Sequence, residues 1–175
     1  MILQPVILKV PADIRATKGR PKVQALSQLA RQATQQSARL TIGRDLKGFP
    51  KDSDGVPVPV KGIHWSLSHK SSLVAGIVAK VPVGIDVEIH RPVKAGMHTR
   101  IAGDDEWALA LQEGDGGVPP EPLFYRLWTA KEAVLKAVGQ GLVGLSRCRV
   151  DALPADLHMR LSYDGTPWEV LQRWY

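Results

Sequence analysis

Two acidic residues in an extended, apolar segment are the first candidates for chemistry. Between Val83 and His90, apolar residues alternate with polar ones, and Asp86 and Glu88 share the polar face. Alternate Cα atoms of a strand lie roughly 6.5 to 7 Å apart, so two such carboxylates can converge on one hard cation. A strand with a solvated acidic face gives the same pattern, so the pair alone decides nothing.

A second set of candidates lies on a predicted helix. The periodicity predicts a helix over Leu123 to Val138 that ends at Gly139. Its buried stripe is formed by Leu127, Ala130, Val134 and Val138, and another face carries Trp128, Glu132 and Lys136. A Glu four residues before a Lys is also the ordinary surface ion pair of helices, worth about 0.2 to 0.5 kcal/mol.

A third candidate segment ends a β-type run with hydroxyls and an imidazole. It reads Ile63-His-Trp-Ser-Leu-Ser-His-Lys70, which puts Ser68, His69 and Lys70 at its end. A single histidine in such a place is more often a structural hydrogen-bonding group than a ligand. On its own, this segment therefore predicts a strand and no particular chemistry.

The remaining pattern predicts the elements that must position these residues. We expect a first helix over Lys22 to Leu40 and a loop over residues 43 to 61, with turns at Asp54-Gly55 and near Pro57 and Pro59. Strands are predicted at Ile63 to Ser68, Leu73 to Ala79 and Val83 to Ile89, the last two joined as a hairpin by Lys80-Val81-Pro82. A helix from Asp104 to Gln112, a loop over residues 114 to 122 and short strands with a turn at Asp164-Gly165 complete the prediction.

Composition limits the class of protein. The 175 residues are 44% hydrophobic and 23% charged, which fits one globular unit or two small packed halves. Cys148 is the single cysteine, so the sequence excludes an intrachain disulfide and a zinc site built on thiolates. No run approaches the roughly 18 apolar residues of a membrane span, and a cytoplasmic protein is the expectation.

Positive charge is concentrated at one end of the chain. The net charge is +6, and the first 50 residues carry nine Lys or Arg residues against Asp13 and Asp45, which makes that segment +7. A basic front half predicts an anionic partner, either phosphates, nucleic acid or an acidic protein. A basic face that is merely solvated explains the charge equally well.

Taken together and in this order, the three segments resemble the 4′-phosphopantetheinyl transferases. The matching motifs are Trp65-Ser-Leu-Ser-His69, Gly84-Ile-Asp-Val-Glu88 and Trp128-Thr-Ala-Lys-Glu-Ala-Val-Leu-Lys136. The chain looks like a shortened member of the larger, surfactin-synthetase-activating type. The resemblance implies an α+β pseudo-dimer of two similar halves, residues 1–82 and 83–175, each a helix packed on a small antiparallel sheet.

The resemblance also implies an activity: transfer of the phosphopantetheine arm of coenzyme A to a serine of an apo carrier protein, with release of 3′,5′-ADP. Asp86, Glu88 and Glu132 would hold Mg²⁺, and the same oxygen ligands would accept Mn²⁺. Lys131 and Lys136 look like the phosphate-contacting lysines, with Lys136 at the leaving group. Glu106 falls where larger members place a candidate general base. Two alternatives stay open: a metal-bound water as the base, and a purely structural role of Glu106 at a helix N-terminus.

The same resemblance assigns the basic half to coenzyme A. Ser68 and His69 match the element that grips the 3′-phosphate, as does Arg31, with Arg15 and Lys18 as upstream contacts. Lys70 stands where the family often has Ser, which adds a phosphate contact or changes a turn. Gly55-Val-Pro57 replaces a common Gly-Lys-Pro, so Lys51 or Lys61 would supply the missing basic contact. The expected partner is an apo acyl or peptidyl carrier protein, with no nucleic acid, no membrane and a monomeric chain.

Two other classes share some of these parts. A Mg²⁺-dependent nuclease also combines carboxylates with a lysine, but its usual E-x-K lies on a strand, whereas Lys131 and Glu132 are predicted on a helix. A basic nucleic-acid-binding module would use the front half through phosphate neutralisation and would not need Asp86, Glu88 and Glu132.

Overall fold

The computed structural model describes residues 2–94, 96–113, 120–154 and 157–174. These residues form two compact units. Unit 1 contains Met1–Ile89 together with Lys136–Gly139, and unit 2 contains His90–Leu135 together with Gln140–Tyr175. The sequence predicted the boundary of its two halves after residue 82, and the roles given to those halves stay predictions.

Unit 1 is a long helix on a three-stranded antiparallel sheet. Its elements are β1 (Val6–Lys9), α1 (Ala12–Ala16), α2 (Gly19–Ile42), β2 (His64–His69) and β3 (Leu73–Ala79). The strand order is β1-β3-β2, so β3 is central, and it is buried along six of its seven residues. The predicted helix and the first two predicted strands are thereby confirmed.

Helix α2 lies unusually close to the central strand because the facing residues are small. Ala30 and Ala33 are fully buried, and a Cβ added at Gly76 of β3 would lie 2.3 Å from the backbone nitrogen of Thr34. Ser37 links the helix to two segments: its hydroxyl donates to the carbonyl of Gln4 at 2.7 Å and accepts from the amide of Val78 at 3.1 Å. These contacts fix the sheet whose β2 strand carries Ser68 and His69.

The predicted strand over Val83 to Ile89 and its hairpin through Lys80-Val81-Pro82 are wrong. Residues 83–89 belong to no strand of either sheet. The reason is that side chains of β2 replace a backbone ladder: the amide of Ile85 donates to the hydroxyl of Ser66 at 3.2 Å. Of the four apolar residues that the alternation places on one face, Val83 and Val87 are buried, whereas Ile85 and Ile89 are half-buried. We call residues 83–89 the acidic segment, because it carries Asp86 and Glu88.

Unit 2 combines helices with a second three-stranded antiparallel sheet. It contains α3 (Met97–Ile101), α4 (Asp104–Glu113), most of α5 (Pro120–Ala137), a 3₁₀ helix (Leu142–Arg147), β4 (Cys148–Ala152), β5 (His158–Tyr163) and β6 (Thr166–Leu171). Its strand order is β4-β5-β6. The predicted turn joins β5 to β6, with φ values of 48° at Asp164 and 78° at Gly165. Residues 114–119 of the predicted loop lie outside the described residues.

The α+β class with small antiparallel sheets is confirmed. Whether the two halves are similar stays a prediction, since β3 is central in the first sheet whereas the strands of the second follow chain order. Within the described ranges, no helix is both long and apolar enough to cross a membrane. Cys148 is buried, and burial raises the pKa of its thiol to about 12, so the thiol is chemically inert at neutral pH.

Candidate active site

Asp86 lies at the centre of a polar cluster in unit 1. Its side chain is 4% exposed, and two donors converge on its Oδ1 atom. The Ser68 hydroxyl donates to Oδ1 at 2.8 Å, and the Lys136 ammonium does so at 2.6 Å. Within the described part of the chain, the buried Oδ2 atom has no hydrogen-bond partner. A buried carboxylate oxygen without a partner is costly, so this atom has the character of a ligand-binding group.

Lys136 reaches Asp86 from the last turn of α5. Its ammonium also donates to the carbonyl of Ile85 at 3.1 Å, so it contacts both a side chain and the backbone of the acidic segment. Gly139 ends the helix with φ +71°, and a Cβ there would lie 2.9 Å from a methyl group of Val56. Only glycine adopts this positive φ and accommodates the nearby methyl group without strain. Gly139 therefore fixes the position at which the helix ends.

Glu88 pairs with a second lysine. The Lys70 ammonium lies 2.7 Å from Oε1 of Glu88, and the two side chains are 38% and 15% exposed respectively. Lys70 follows β2, and its backbone amide donates to the carbonyl of Leu73 at 2.8 Å, which closes the turn between β2 and β3. Each acidic residue of the segment is thus paired with a lysine from a different element.

His69 lies among three lysines. Burial lowers the pKa of its imidazole first, and the positive charges of Lys136, Lys70 and Lys51 lower it further. The imidazole is therefore neutral at neutral pH and can donate one hydrogen bond to an anion. The pairs of Asp86 and Glu88 with lysines and the basic surroundings of His69 together make a region suited to a phosphate group beside carboxylates.

Three other predicted coenzyme A contacts lie on or next to helices α1 and α2 of unit 1. Arg15 is exposed on α1, Lys18 is exposed just before α2, and Arg31 is exposed on α2. Within the described part of the chain, none of these three charges is among those that lower the pKa of the His69 imidazole. Their roles stay predictions.

In unit 2, Glu106 and Lys131 form a buried ion pair. Their charged atoms lie 2.7 Å apart, and the side chains are 5% and 2% exposed. Glu106 also accepts from the amide of Val150 at 2.8 Å and from the amide of Gly103, just before α4, at 2.9 Å. The last contact is half of a capping box. Glu106 therefore joins α4, α5 and β4.

The burial of Lys131 was missed from the sequence, although a signal existed. Lys131 follows Leu127 by four residues and precedes Leu135 by four, and all three side chains are almost completely buried. Residues four apart share a helix face, so Lys131 lies on the apolar stripe that the periodicity predicted. The predicted roles of Lys131 at a phosphate and of Glu106 as a base stay predictions.

Glu132 is the third predicted metal ligand. It lies on α5 one helical turn before Lys136 and on the same face of that helix. Among the residues that the structure describes, no group of three or more His, Cys, Asp or Glu side chains is arranged to hold a metal ion. The three-carboxylate site therefore stays a prediction.

The acidic segment nevertheless fits a hard divalent cation. Asp86 offers a buried oxygen that has no hydrogen-bond partner among the described residues, and Glu88 supplies a second carboxylate two residues further along. Mg²⁺ is usually held by one or two carboxylates together with waters and substrate phosphates, and these residues supply that number. Oxygen ligands of this kind also suit Mn²⁺.

Comparison with known proteins identifies the family. A family model described as the 4′-phosphopantetheinyl transferase superfamily matches residues 82–168. Over 120 residues, the chain is 35% identical to the 4′-phosphopantetheinyl transferase psf-1 of Bacillus pumilus, an alignment that covers 67% of this chain and 47% of that protein. Over 103 residues, it is 29% identical to Sfp of Bacillus subtilis (strain 168), covering 58% of this chain and 41% of Sfp.

A relative from a different bacterium gives the same result. The 4′-phosphopantetheinyl transferase HetI of Nostoc sp. is 29% identical over 116 residues, which covers 62% of this chain and 48% of HetI. The chain belongs to the 4′-phosphopantetheinyl transferase superfamily. It spans about half the length of the curated relatives that it matches.

The pKa of His69 is the first testable property of the site. We expect an NMR titration of its imidazole to give a pKa below the ordinary value of about 6.5. Lys136→Met should raise that pKa because it removes one positive charge, while Lys80→Met, at an exposed lysine of unit 1, should leave it unchanged. Since the unfolded chain binds this proton more readily, His69 should reduce stability as the pH falls below about 6.5. A pKa at or above the ordinary value contradicts this description.

The buried ion pair of unit 2 can be tested by a double-mutant cycle. Glu106→Gln and Lys131→Met should each lower the free energy of unfolding by about 3 to 5 kcal/mol, because each leaves a buried charge without its partner. The double variant should be clearly more stable than the sum of the two losses predicts. Denaturant unfolding gives all four values. Strictly additive losses would show that the two charges do not depend on each other.

Proposed function

We propose that this protein transfers the 4′-phosphopantetheine arm of coenzyme A to a serine hydroxyl of an apo acyl or peptidyl carrier protein, in a Mg²⁺-dependent reaction that releases 3′,5′-ADP. Membership of the superfamily supports the reaction class, and the named relatives are 4′-phosphopantetheinyl transferases. The observation that carries the proposal is the buried Asp86, whose Oδ1 binds Ser68 and Lys136 while Oδ2 has no partner among the described residues.

The reaction needs stabilisation of charge on phosphate oxygens. The serine oxygen forms a bond to the phosphorus that carries the pantetheine arm. The bond from that phosphorus to the bridging oxygen breaks, which leaves 3′,5′-ADP. A divalent cation held by Asp86 and Glu88, with Glu132 as the third predicted ligand, would supply Lewis-acid stabilisation of the diphosphate. In the proposal, Lys136 donates to the leaving phosphate, and His69 with Ser68 binds the 3′-phosphate.

The proton of the attacking serine requires an acceptor. The resemblance predicts Glu106, whose carboxylate already accepts from Lys131 and from two backbone amides. To act as the base, Glu106 would have to give up the ammonium that compensates its charge. Its contacts support a second role, which is to hold α4 and α5 together around β4. The predicted monomeric state and cytoplasmic location stay predictions.

The two alternative classes gain little support. Lys131, Glu132 and Lys136 lie on a helix, as predicted, and the usual E-x-K of the nuclease class lies on a strand. A nucleic-acid-binding module would use the basic front half, but it gives no reason for lysines to pair with both Asp86 and Glu88. We therefore keep the transferase as the single proposal.

A carrier assay tests the proposed function. Incubation of the chain with coenzyme A, Mg²⁺ and an apo carrier protein should add one phosphopantetheine to the carrier, read by intact mass. Asp86→Asn and Lys136→Met should each lower the rate about 100-fold or more, because each removes electrostatic stabilisation of the diphosphate. A surface ion pair would lose almost nothing on the same change.

A matched control uses Asp45, which is exposed and paired with Arg39 in the same unit. Asp45→Asn removes the same charge as Asp86→Asn and should leave the rate within about twofold of the wild type. The panel should contain fatty-acid, polyketide and peptide-type carriers. No mass shift on any carrier with the wild-type chain would overturn the proposed function.

A further inference from the structure

We infer that Lys70 is an internal counter-ion that competes with a divalent cation for Glu88 and moves to the diphosphate when that cation binds. The inference rests on the proposed function in one respect, namely that the acidic segment holds the cation. It assigns to Lys70 a role beyond the ion pair that it makes with Glu88.

The two lysines of the site are held differently. Lys136 contacts both the Asp86 carboxylate and the backbone carbonyl of Ile85. The side chain of Lys70 lies 2.7 Å from Glu88 and is the more exposed of the two, at 38% against 28%. Lys70 is thus the lysine whose ammonium can leave its carboxylate with less loss of contacts.

A lysine ammonium and a divalent cation cannot share a carboxylate oxygen without strong repulsion. Like charges at such a short separation repel strongly, and the cation carries twice the charge of the ammonium. Cation binding at Glu88 therefore requires Lys70 to turn away. A competing charge that must be displaced lowers the affinity for the free cation.

The backbone decides where the displaced ammonium can go. Lys70 is anchored by its amide, which donates to the carbonyl of Leu73 at 2.8 Å in the turn between β2 and β3. This hydrogen bond holds the backbone of Lys70, so a turn of the side chain keeps the ammonium in the region of His69, whose pKa it already lowers. A diphosphate bound to the cation supplies the negative charge that replaces Glu88. Lys70, which hinders the binding of the free cation, then strengthens the binding of the diphosphate.

This exchange predicts effects of opposite sign on two ligands. Removing the Lys70 charge should tighten the binding of the free cation and weaken the binding of the diphosphate with cation present. A lysine that attracts the diphosphate but lies too far from Glu88 to compete with the cation would do the second and not the first. Removing a lysine that only stabilises the fold would not shift the affinities for the cation and the diphosphate in opposite directions.

The experiment uses the full chain, with Mn²⁺ alone as the first probe and inorganic pyrophosphate at saturating Mn²⁺ as the second. Lys70→Gln is compared with the wild type and with Lys80→Gln, which removes an equal charge at an exposed residue of the same unit. Paramagnetic resonance of free Mn²⁺ gives the first affinity and calorimetry the second. Both are measured at about pH 8, where carboxylates are ionised.

We expect Lys70→Gln to bind Mn²⁺ about three- to tenfold more tightly than the wild type, and pyrophosphate weaker by a similar factor. Lys80→Gln should stay within about twofold of the wild type in both measurements. Changes of the same sign for both ligands, a Lys70→Gln variant that behaves like Lys80→Gln, or no Mn²⁺ binding by either protein would overturn the inference. Since neither measurement uses a carrier protein or coenzyme A, failure of the transfer assay alone would leave this exchange intact.

Discussion

The contact between the Lys136 ammonium and the Asp86 carboxylate is the interaction on which the candidate site depends. A carboxylate that is 4% exposed loses most of its hydration, and this loss is tolerated only when donors replace the water. Lys136 and Ser68 supply those donors at one oxygen, and the other oxygen is left for a ligand. The end of α5, the end of β2 and the acidic segment are brought together at this one side chain.

The elements that carry these residues were largely predictable from the sequence. Helix α2 and the body of α5 follow from periodicity, because each buries one face, and strands β2 and β3 follow from short runs of strand-forming residues. The three motifs were found for a similar reason, since residue type and spacing are written directly in the chain. The family was predicted from those motifs, and the comparisons confirm it.

What the sequence could not show is how side chains pair across elements. The alternation in residues 83–89 predicted a strand, but alternation alone supplies no neighbouring strand, and here the amide of Ile85 donates to the hydroxyl of Ser66 instead. The pairing of Lys70 with Glu88 joins residues 18 positions apart, and no local pattern encodes it. The burial of Lys131 was not predicted because lysine is expected at the surface, and its partner Glu106 lies 25 residues earlier.

The most direct measurement is an anomalous difference map from crystals of the chain grown with Mn²⁺ and coenzyme A. This account predicts an Mn²⁺ peak bonded to Oδ2 of Asp86, with the Lys136 ammonium still at Oδ1 and also donating to a phosphate oxygen. A peak bonded to other residues, with Asp86 still held only by Ser68 and Lys136, would contradict it.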